Sequence, residues 1–559
     1  MQRHAAAFFA VLGKLARPTD DMATQATWGG TLKNHSKAEM RVGRLRNGLT
    51  LLMLMVITLL AAEMGAAEQP NFIIILADDL GYGDLGCYGS KLIATPRLDR
   101  MAAEGMQFTD FYVASPFCSP SRAALLTGRL PARCGVPYVL FPSEHTGLPP
   151  EEITIAEMLK SVGYATACIG KWHLGWRREL RPQNQGFDEF FGVRHSNDAD
   201  EWTSGRAFHQ LSDFEPFSLR DGDLVVEVPV DQSLLTEKYT ERALDFIRRN
   251  RDRQFFLYLP HTMPHVPQHA SPAFAGKSKD NAYGDCIEEL DASTGRILDL
   301  LDELHIADDT LVVFTSDNGA AVQNRAQRVP RNAAAERFPG HAFGGSNGIL
   351  RMGKGSTWEG GVRVPCIVRQ PGTIAAGRVE AMPCSTLDLL PTFAMLAGVA
   401  PTPNVTLDGM NISELLNTPG RTNLSARTLT HYFGLQLQSV RQGDWKHILP
   451  IAAPPKVRVE SLWFVHQPQL FERQHRLWPT ASLFHLPTDP GEQNDVAAAH
   501  PEIVASLLRQ AVDFDKDFQA TLRPVLRLPG PQPPAPGQVR TEADSIDEWQ
   551  RLIMEPTTP

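Results

Sequence analysis

Two pairs of oxygen-donor side chains sit directly behind short apolar runs. Asp78-Asp79 follows NFIIIL (Asn71–Leu76), and Asp317-Asn318 follows LVVFT (Leu311–Thr315) with one serine between. Hard oxygen donors suit Ca2+ or Mg2+, not Zn2+ or Cu2+. A single Asp at a strand end more often caps a helix or makes a turn. Two such pairs are harder to explain that way. Adjacent carboxylates repel and push a pKa up, and a divalent cation removes that cost. A third run, YATACI (Tyr164–Ile169), leads into Gly170-Lys171-Trp172-His173. A fourth, FFLYL (Phe255–Leu259), leads to His261 and then Pro264-His265. Lysine supplies fixed positive charge, and histidine moves protons near neutral pH, with an unperturbed pKa near ~6.5. Taken singly, each of these His residues reads equally as a satisfied core or loop histidine, and each Lys as a surface residue.

The segment Cys118-Ser-Pro-Ser-Arg122-Ala-Ala-Leu-Leu-Thr-Gly-Arg129 is the other candidate. Ser119-Pro120 before an apolar run predicts a helix start, and Gly128 its end. Cys118 then lies at a helix N-terminus, where anions are favoured. Two readings stay open from the residues alone: a low-pKa nucleophile, or a buried structural cysteine. The seven cysteines are dispersed, with no CxxC pair and no zinc-type spacing. No particular disulfide is expected.

These groups need a frame that brings them together. The apolar runs alternate with helix-like stretches: Arg97–Glu104, Ile153–Leu159, Leu235–Arg249 and Asp285–Leu304. Val364–Arg369 is a fifth strand candidate. Such alternation predicts an α/β fold with a large, mostly parallel central sheet covered on both faces. Ligand sites in open α/β sheets lie beyond the carboxyl ends of the strands. If the four runs are parallel, their polar followers share one edge. Composition changes after about Pro419. His431–Leu449 and Ser461–Leu486 alternate like hairpins, and Pro501–Phe518 is helical. The expected organisation is a catalytic domain over 70–420, a smaller α+β domain with an antiparallel sheet over 421–525, and a Pro-rich tail over 526–559 that contains LPGPQPPAPG.

Residues 1–67 read as an N-terminal extension and signal peptide. Arg41, Arg44 and Arg46 precede an apolar run over 49–62, and Gly65, Ala66 and Ala67 follow. That is a Sec-type pattern, predicting export to a periplasmic, secreted or lumenal location. A membrane anchor is the alternative, disfavoured because a span needs about 20 apolar residues. Met40 opens a conventional signal by itself, so translation starts at Met1 or at Met40. The net charge is −9 and the pI about 6.0, with no basic–aromatic stretch, which argues against nucleic acid as a partner. Asn404, Asn411 and Asn423 stand in glycosylation acceptor patterns. Oligomeric state has no signature in the sequence.

Cys118-x-Pro120-Ser121-Arg122 with Leu125-Leu-Thr-Gly-Arg129 resembles the type I sulfatase signature. Other stretches match the same family: Ala77-Asp-Asp-Leu-Gly-Tyr-Gly-Asp84, Gly170-Lys-Trp-His-Leu-Gly175, Gln185-Gly-Phe-Asp-Glu-Phe-Phe-Gly192, Thr315-Ser-Asp-Asn-Gly319, Gly353-Lys-Gly-Ser-Thr-Trp-Glu-Gly-Gly-Val-Arg363 and Asp489-Pro-Gly-Glu-x-Asn-Asp495. The resemblance spans about Pro70 to Asp495, and its local wording is similar to the arylsulfatase A and N-acetylgalactosamine-6-sulfatase branches. It implies an alkaline-phosphatase-like sandwich and hydrolysis of sulfate monoesters, with a sulfated small molecule or carbohydrate as substrate. It implies that a formylglycine-generating or sulfatase-maturing enzyme oxidises Cys118 to formylglycine (3-oxoalanine). Asp78, Asp79, Asp317 and Asn318 would hold one calcium, magnesium being less favoured, with the residue made from Cys118 completing the shell. Arg122 would stabilise the aldehyde hydrate. Lys171 and Lys354 would bind sulfate oxygens, His173 and His265 would handle protons, and Ser196, by a looser match, would touch the hydrate and the substrate. His261 rivals His265, although the Pro-His-x-Pro context favours His265.

An aldehyde hydrate suits this chemistry because it carries two hydroxyls on one carbon. One attacks sulfur and expels the alcohol. Deprotonation of the other lets the carbon collapse to C=O and expel sulfate, without water attacking sulfur. In this scheme His265, with Lys354, protonates the leaving alcohol, and His173 is the base for sulfate release. Two rival functions remain: a phosphohydrolase of the same superfamily, and a non-catalytic binder that keeps the thiol. Specificity residues are expected in Asn197–Phe217, Ala320–Gly344 and the C-terminal domain.

Overall fold

Strand β1 (Asn71–Ala77) is buried on both faces, and the molecule is layered about it. Phe72, Ile74 and Leu76 face one core; Ile73, Ile75 and Ala77 face another. A strand with no polar face must lie inside a sheet covered on both sides. The computed structural model describes residues 69–142, 145–199, 217–321, 344–400, 405–418, 427–451, 478, 480–526 and 528. The expected signal peptide, most of the two expected specificity loops, Asn404, Asn423, the stretch from Ser461 to 477 and nearly all of the tail fall outside these residues.

Eleven strands form the central sheet: β1, β2 (Met106–Tyr112), β3 (Ala165–Lys171), β4 (Glu189–Val193), β5 (Leu219–Asp221), β6 (Leu224–Glu227), β7 (Phe255–Pro260), β8 (Thr310–Ser316), β9 (Arg363–Arg369), β10 (Arg378–Glu380) and β11 (Cys384–Ser385). The order is β10-β2-β9-β8-β1-β7-β3-β4-β5-β6, with β11 also on β2. The four apolar runs read from the sequence are neighbours, β8-β1-β7-β3, and all run parallel. Strand β9 is antiparallel to both β8 and β2, so the expected fifth strand is present but reversed. Strand β2 was not anticipated. Its signal is a short alternation, Met106 and Phe108 against the half-buried Gln107 and Thr109, which gives way to three successive buried residues, Asp110 to Tyr112.

One core packs α2 (Cys118–Thr127), α3 (Ile155–Lys160) and α7 (Leu389–Leu396) on the sheet. The other packs α1 (Pro96–Glu104), α4 (Leu235–Asn250) and α5 (Asn281–Glu303). Thr154 and Glu157 form a reciprocal capping box at the start of α3. The short helix α6 (Glu359–Val362) leads directly into β9. After the central sheet come four antiparallel strands, β12 (Thr428–Phe433), β13 (Gln436–Gln442), β14 (Trp445–Ile448) and β15 (Ser482–His485), and then α8 (Pro501–Ala520). The first hairpin-like stretch is therefore a three-strand meander. The described residues group as one compact unit.

Gly170 sits one residue before Lys171 with φ +133°, and a Cβ there would lie 1.9 Å from the carbonyl oxygen of Pro260 on β7. Close packing of β3 on β7 thus requires glycine. Gly170→Ala is expected to lower stability by about 2–4 kcal/mol, combining backbone strain with overpacking. Urea unfolding checks this; a loss below about 1 kcal/mol would contradict it.

Candidate active site

The carboxyl ends of four adjacent strands deliver their polar followers to one place. Asp78 leaves β1 with its N–H donated to the carbonyl of Met263, 3.1 Å away. Asp79 turns the chain in the left-handed region, φ 69°. Its N–H donates to Asp317 Oδ1 at 3.2 Å, and its carbonyl accepts the Tyr283 hydroxyl at 3.0 Å. Asp317 is tied back to β1 through the carbonyl of Ala77, 3.1 Å. Asn318 Nδ2 donates to Asp79 Oδ1 at 2.7 Å. The two oxygen-donor pairs are thus one cluster, and all four residues are buried.

Helix α2 brings Cys118 and Arg122 to the cluster, and all ten of its residues are buried. Its start is at Cys118, with Phe117 as N-cap, and Gly128 ends it in the left-handed region as expected. Arg122 donates to Asp317 Oδ2 through Nε at 3.0 Å and Nη2 at 2.8 Å, and Nη2 lies 3.4 Å from Asp78 Oδ2. Cys118 Sγ is 3.5 Å from Asp78 Oδ1. Lys171 Nζ reaches Asp78 Oδ2 at 2.5 Å and Ser196 Oγ at 3.1 Å. Lys354 Nζ sits 2.6 Å from Asp79 Oδ1 and 3.3 Å from Cys118 Sγ. Every sequence-derived site residue except His173 is linked through these contacts or the His265 contact below.

The electrostatics bear on the two readings left open for Cys118. A helix start favours a low-pKa thiol, but burial pushes the Cys118 thiol well up, and Lys171 and Lys354 do not offset it. The unmodified side chain is neutral at physiological pH, which weighs against a thiolate nucleophile. Burial raises Asp78 less than the cations Lys171, His265, Arg122 and Lys354 lower it, so its carboxyl stays well below the usual range. Burial, followed by repulsion from Asp78, pushes Asp317 up to about 7 despite Arg122. Burial disfavours the Lys354 ammonium, but Asp79, Cys118, Asp78 and Asp317 hold its pKa well above the usual lysine value.

The cluster can hold a metal ion. Asp78, Asp79, Cys118 and His265 offer ligand atoms all within 4.8 Å of one another. Asp317 is outside this group, its carboxylate engaged by Arg122 and by the Asp79 N–H. Asn318 Oδ1 is buried without a hydrogen-bond partner among the described residues, and an orphaned amide oxygen beside clustered carboxylates suits coordination to a cation.

His265 lies at the cluster, Nε2 3.8 Å from Asp79 Oδ2. Its Nδ1 is 3.0 Å from Asn197 Oδ1 and 2.6 Å from the carbonyl of Val266. A carbonyl can only accept, so Nδ1 carries the proton and Nε2 of the neutral ring presents its lone pair to the site. Burial, then Lys354, lowers the imidazole pKa, against Asp79 and Asp78. His173 donates from Nε2 to the carbonyl of Leu140 at 2.8 Å, which leaves Nδ1 as the basic nitrogen, buried without a partner among the described residues. Burial, followed by Lys171 and Arg122, drives the His173 pKa well down. His261 stands apart from the carboxylates beside Tyr239, with burial lowering its pKa to about 3. Asn197 was missed as a site residue. It is fully buried and also donates Nδ2 to the carbonyl of Pro267 at 3.0 Å. Nothing in the Ser196-Asn197 dipeptide marks it; only the fold brings it to His265.

Lys171 and Asp78 are an entirely buried pair. Lys171→Met is expected to destabilise the metal-free protein by about 3–5 kcal/mol, because it strands a buried carboxylate. Lys160→Met, which breaks the exposed pair with Asp188, should cost less than about 1 kcal/mol. Denaturant melts of both variants decide this, and equal losses would count against it.

Residues 70–399 match the protein-family model described as Sulfatase. Human arylsulfatase A is 38% identical over 500 residues, covering 83% of this chain and 92% of the relative. N-acetylgalactosamine-6-sulfatase of Canis lupus familiaris is 37% identical over 491 residues, covering 84% and 90%. Steryl-sulfatase of Mus musculus is 36% identical over 554 residues, covering 82% and 83%.

Proposed function

The chain belongs to the sulfatase family and is a sulfuric ester hydrolase, and from that premise we propose that it cleaves sulfate monoesters of carbohydrates through a formylglycine made from Cys118, beside a bound calcium ion. The observation that carries this reading is the placement of Cys118 Sγ between Asp78 Oδ1 and Lys354 Nζ, at 3.5 and 3.3 Å, in a site where burial pushes the thiol pKa up. A hydrated aldehyde at this position supplies two hydroxyls on one carbon, one to attack sulfur and one to release sulfate. Asp78, Asp79, Asp317 and Asn318 would hold the calcium, which would supply positive charge for sulfate oxygens.

The chain's own residues do the rest. Arg122 neutralises the Asp317 and Asp78 carboxylates from behind and favours the hydrate at Cys118. Lys171 and Lys354 bring ammonium groups against the sulfate oxygens in a buried site, where fixed charge acts strongly. Ser196, hydrogen-bonded to Lys171, keeps that amine pointed at the hydrate and the substrate. His265 protonates the leaving alcohol from Nε2 in its imidazolium form, which Asp79 favours, and Asn197 holds its ring. Lys354 assists that proton transfer. His173 takes the hydrate proton at Nδ1 when sulfate leaves.

The carbohydrate assignment is supported by likeness to an N-acetylgalactosamine-6-sulfatase. Likeness to a steryl-sulfatase makes a sterol sulfate the competing class. The N-terminal signal pattern supports export, and a sulfatase-maturing enzyme is the partner the modification requires.

Mass spectrometry of the Cys118 peptide from active protein is expected to find the lighter formylglycine in place of cysteine. Cys118→Ala and Cys118→Ser should both lose at least about a thousandfold in kcat. Full retention of the thiol in active enzyme, or high multiple-turnover activity in Cys118→Ser, would refute the aldehyde. Turnover of matched aryl sulfate and phosphate esters should favour sulfate; a large preference for phosphate sinks the assignment. A screen of sulfated saccharides against sterol sulfates reads the substrate class. Chelation should abolish turnover and calcium should restore it more fully than magnesium; activity unaffected by exhaustive chelation would remove the metal from the scheme.

A further inference from the structure

The Asp489-Pro-Gly-Glu492 motif lies outside the site, yet its turn is built to aim one side chain inward. Asp489 accepts the N–H groups of Gln493 and Asn494 at 2.9 and 2.8 Å. Glu492 adopts the left-handed region, φ 50°, and its side chain is fully buried. It meets the loop 351–359, which carries Lys354.

That loop is held from two sides. Towards the site, the N–H of Lys354 donates to the carbonyl of Ala320 and that of Gly355 to the carbonyl of Pro116, both at 3.0 Å. Ala320 follows the Asp317-Asn318 pair, and Pro116 nearly precedes Cys118. From behind, the C-terminal sheet and the motif grip the loop. Lys446 of β14 pairs with Glu359 at 2.8 Å and with Glu492 at 3.1 Å. The N–H of Glu359 donates to Glu492 Oε2 at 2.8 Å. Thr357 donates to Gln438 of β13 at 3.0 Å. Arg351 donates to the carbonyl of Glu492 at 2.7 Å, with its guanidinium 3.8 Å over the ring of Trp358. Lys446, Glu359 and Glu492 have no solvent exposure at all. Burying such a cluster gains little net stability, since desolvation opposes the Coulomb attraction. Its geometry, in contrast, is set by the hydrogen bonds of Glu359 to Lys446 and to Glu492 and by the Lys446–Glu492 ion pair.

We propose that Lys446 and Glu492 are positioning residues that set Lys354 against Asp79 and Cys118, so that the C-terminal sheet completes the active site from behind. This rests on the proposed role of Lys354 in leaving-group departure. The loop has no regular structure between Arg351 and Trp358; the C-terminal elements hold its ends together with Asn347, which donates to the carbonyl of Met352, and Tyr112 and Arg363, which both reach Glu359.

The test is a double-mutant cycle on the mature enzyme, using aryl sulfates of graded leaving-group acidity. Lys446→Met is expected to lower kcat about 10–100-fold, as misplacement of a catalytic group does, with KM changed less than about threefold. The loss should grow as the leaving phenol becomes less acidic, and Lys446→Arg should recover part of it. In a Lys354→Ala background the same substitution should cost less than about threefold more, because its effect runs through Lys354. An equal loss in both backgrounds, or one independent of the leaving group, overturns the proposal. If Lys446→Met does not fold, Thr357→Val takes its place in the cycle with the same criteria. Wild-type protein inactive on sulfate esters would sink the proposed function alone. Hydrogen exchange over 351–359 would then read the loop directly: faster exchange in the variant is expected, and unchanged protection would overturn the positioning.

Discussion

Three carboxylates out of water within a few ångströms are the condition around which this molecule is arranged. Asp78, Asp79 and Asp317 are each at most 3% exposed, and burying charged carboxylates without counter-charge is costly. Positive charge has to come to them. Arg122 comes from a buried helix, Lys171 from the end of β3, and Lys354 from a loop, each within 3 Å of a carboxylate oxygen. The cations offset the acids incompletely: Asp317 remains raised to about 7. A carboxyl so raised leaves room for more positive charge, and the unpartnered Asn318 Oδ1 offers a further oxygen to a cation bound here.

Such a cluster needs a stiff frame, because a buried charge misplaced by an ångström loses its partner. Adjacent strands lie about 4.8 Å apart, so neighbouring strand ends present side chains at ion-pair and metal-ligand spacing without further help. Strands β8, β1, β7 and β3 are neighbours and parallel. Their apolar runs feed both cores, and their followers meet at one edge. The same closeness explains why a glycine precedes Lys171: Gly170 packs against Pro260 with no space for a Cβ.

The four parallel strands could be read from the sequence because each is a continuous apolar run followed by polar residues, a pattern carried locally by the chain. Strand β2 and the hairpin β5–β6 could not. Strand β2 interrupts its apolar residues with Gln107, Thr109 and Asp110, while β5 and β6 are only three and four residues long, so pairing rather than composition defines them. The oxygen-donor pairs were legible for the same local reason. Asn197 was not: its role depends on meeting His265, 68 positions along the chain, through two hydrogen bonds. The direction of the Cys118 shift was also hidden. Helix position favours a thiolate, but the extent of burial, which outweighs it, is set by α2 lying wholly beneath other elements.

That burial bears on when Cys118 can be changed. Its side chain is 3% exposed, and every residue of Cys118–Thr127 is buried. An enzyme that recognises Cys118, Pro120 and Arg122 needs this segment extended and accessible. In the folded chain, exposing it would mean extracting a helix that packs against one of the two main cores and breaking the Arg122–Asp317 pair. Both costs are those of largely unfolding the site. On the proposed reading, oxidation of Cys118 therefore belongs before the fold closes over it, and folding would then gather the charges of Asp78, Lys171 and Lys354 around the modified residue.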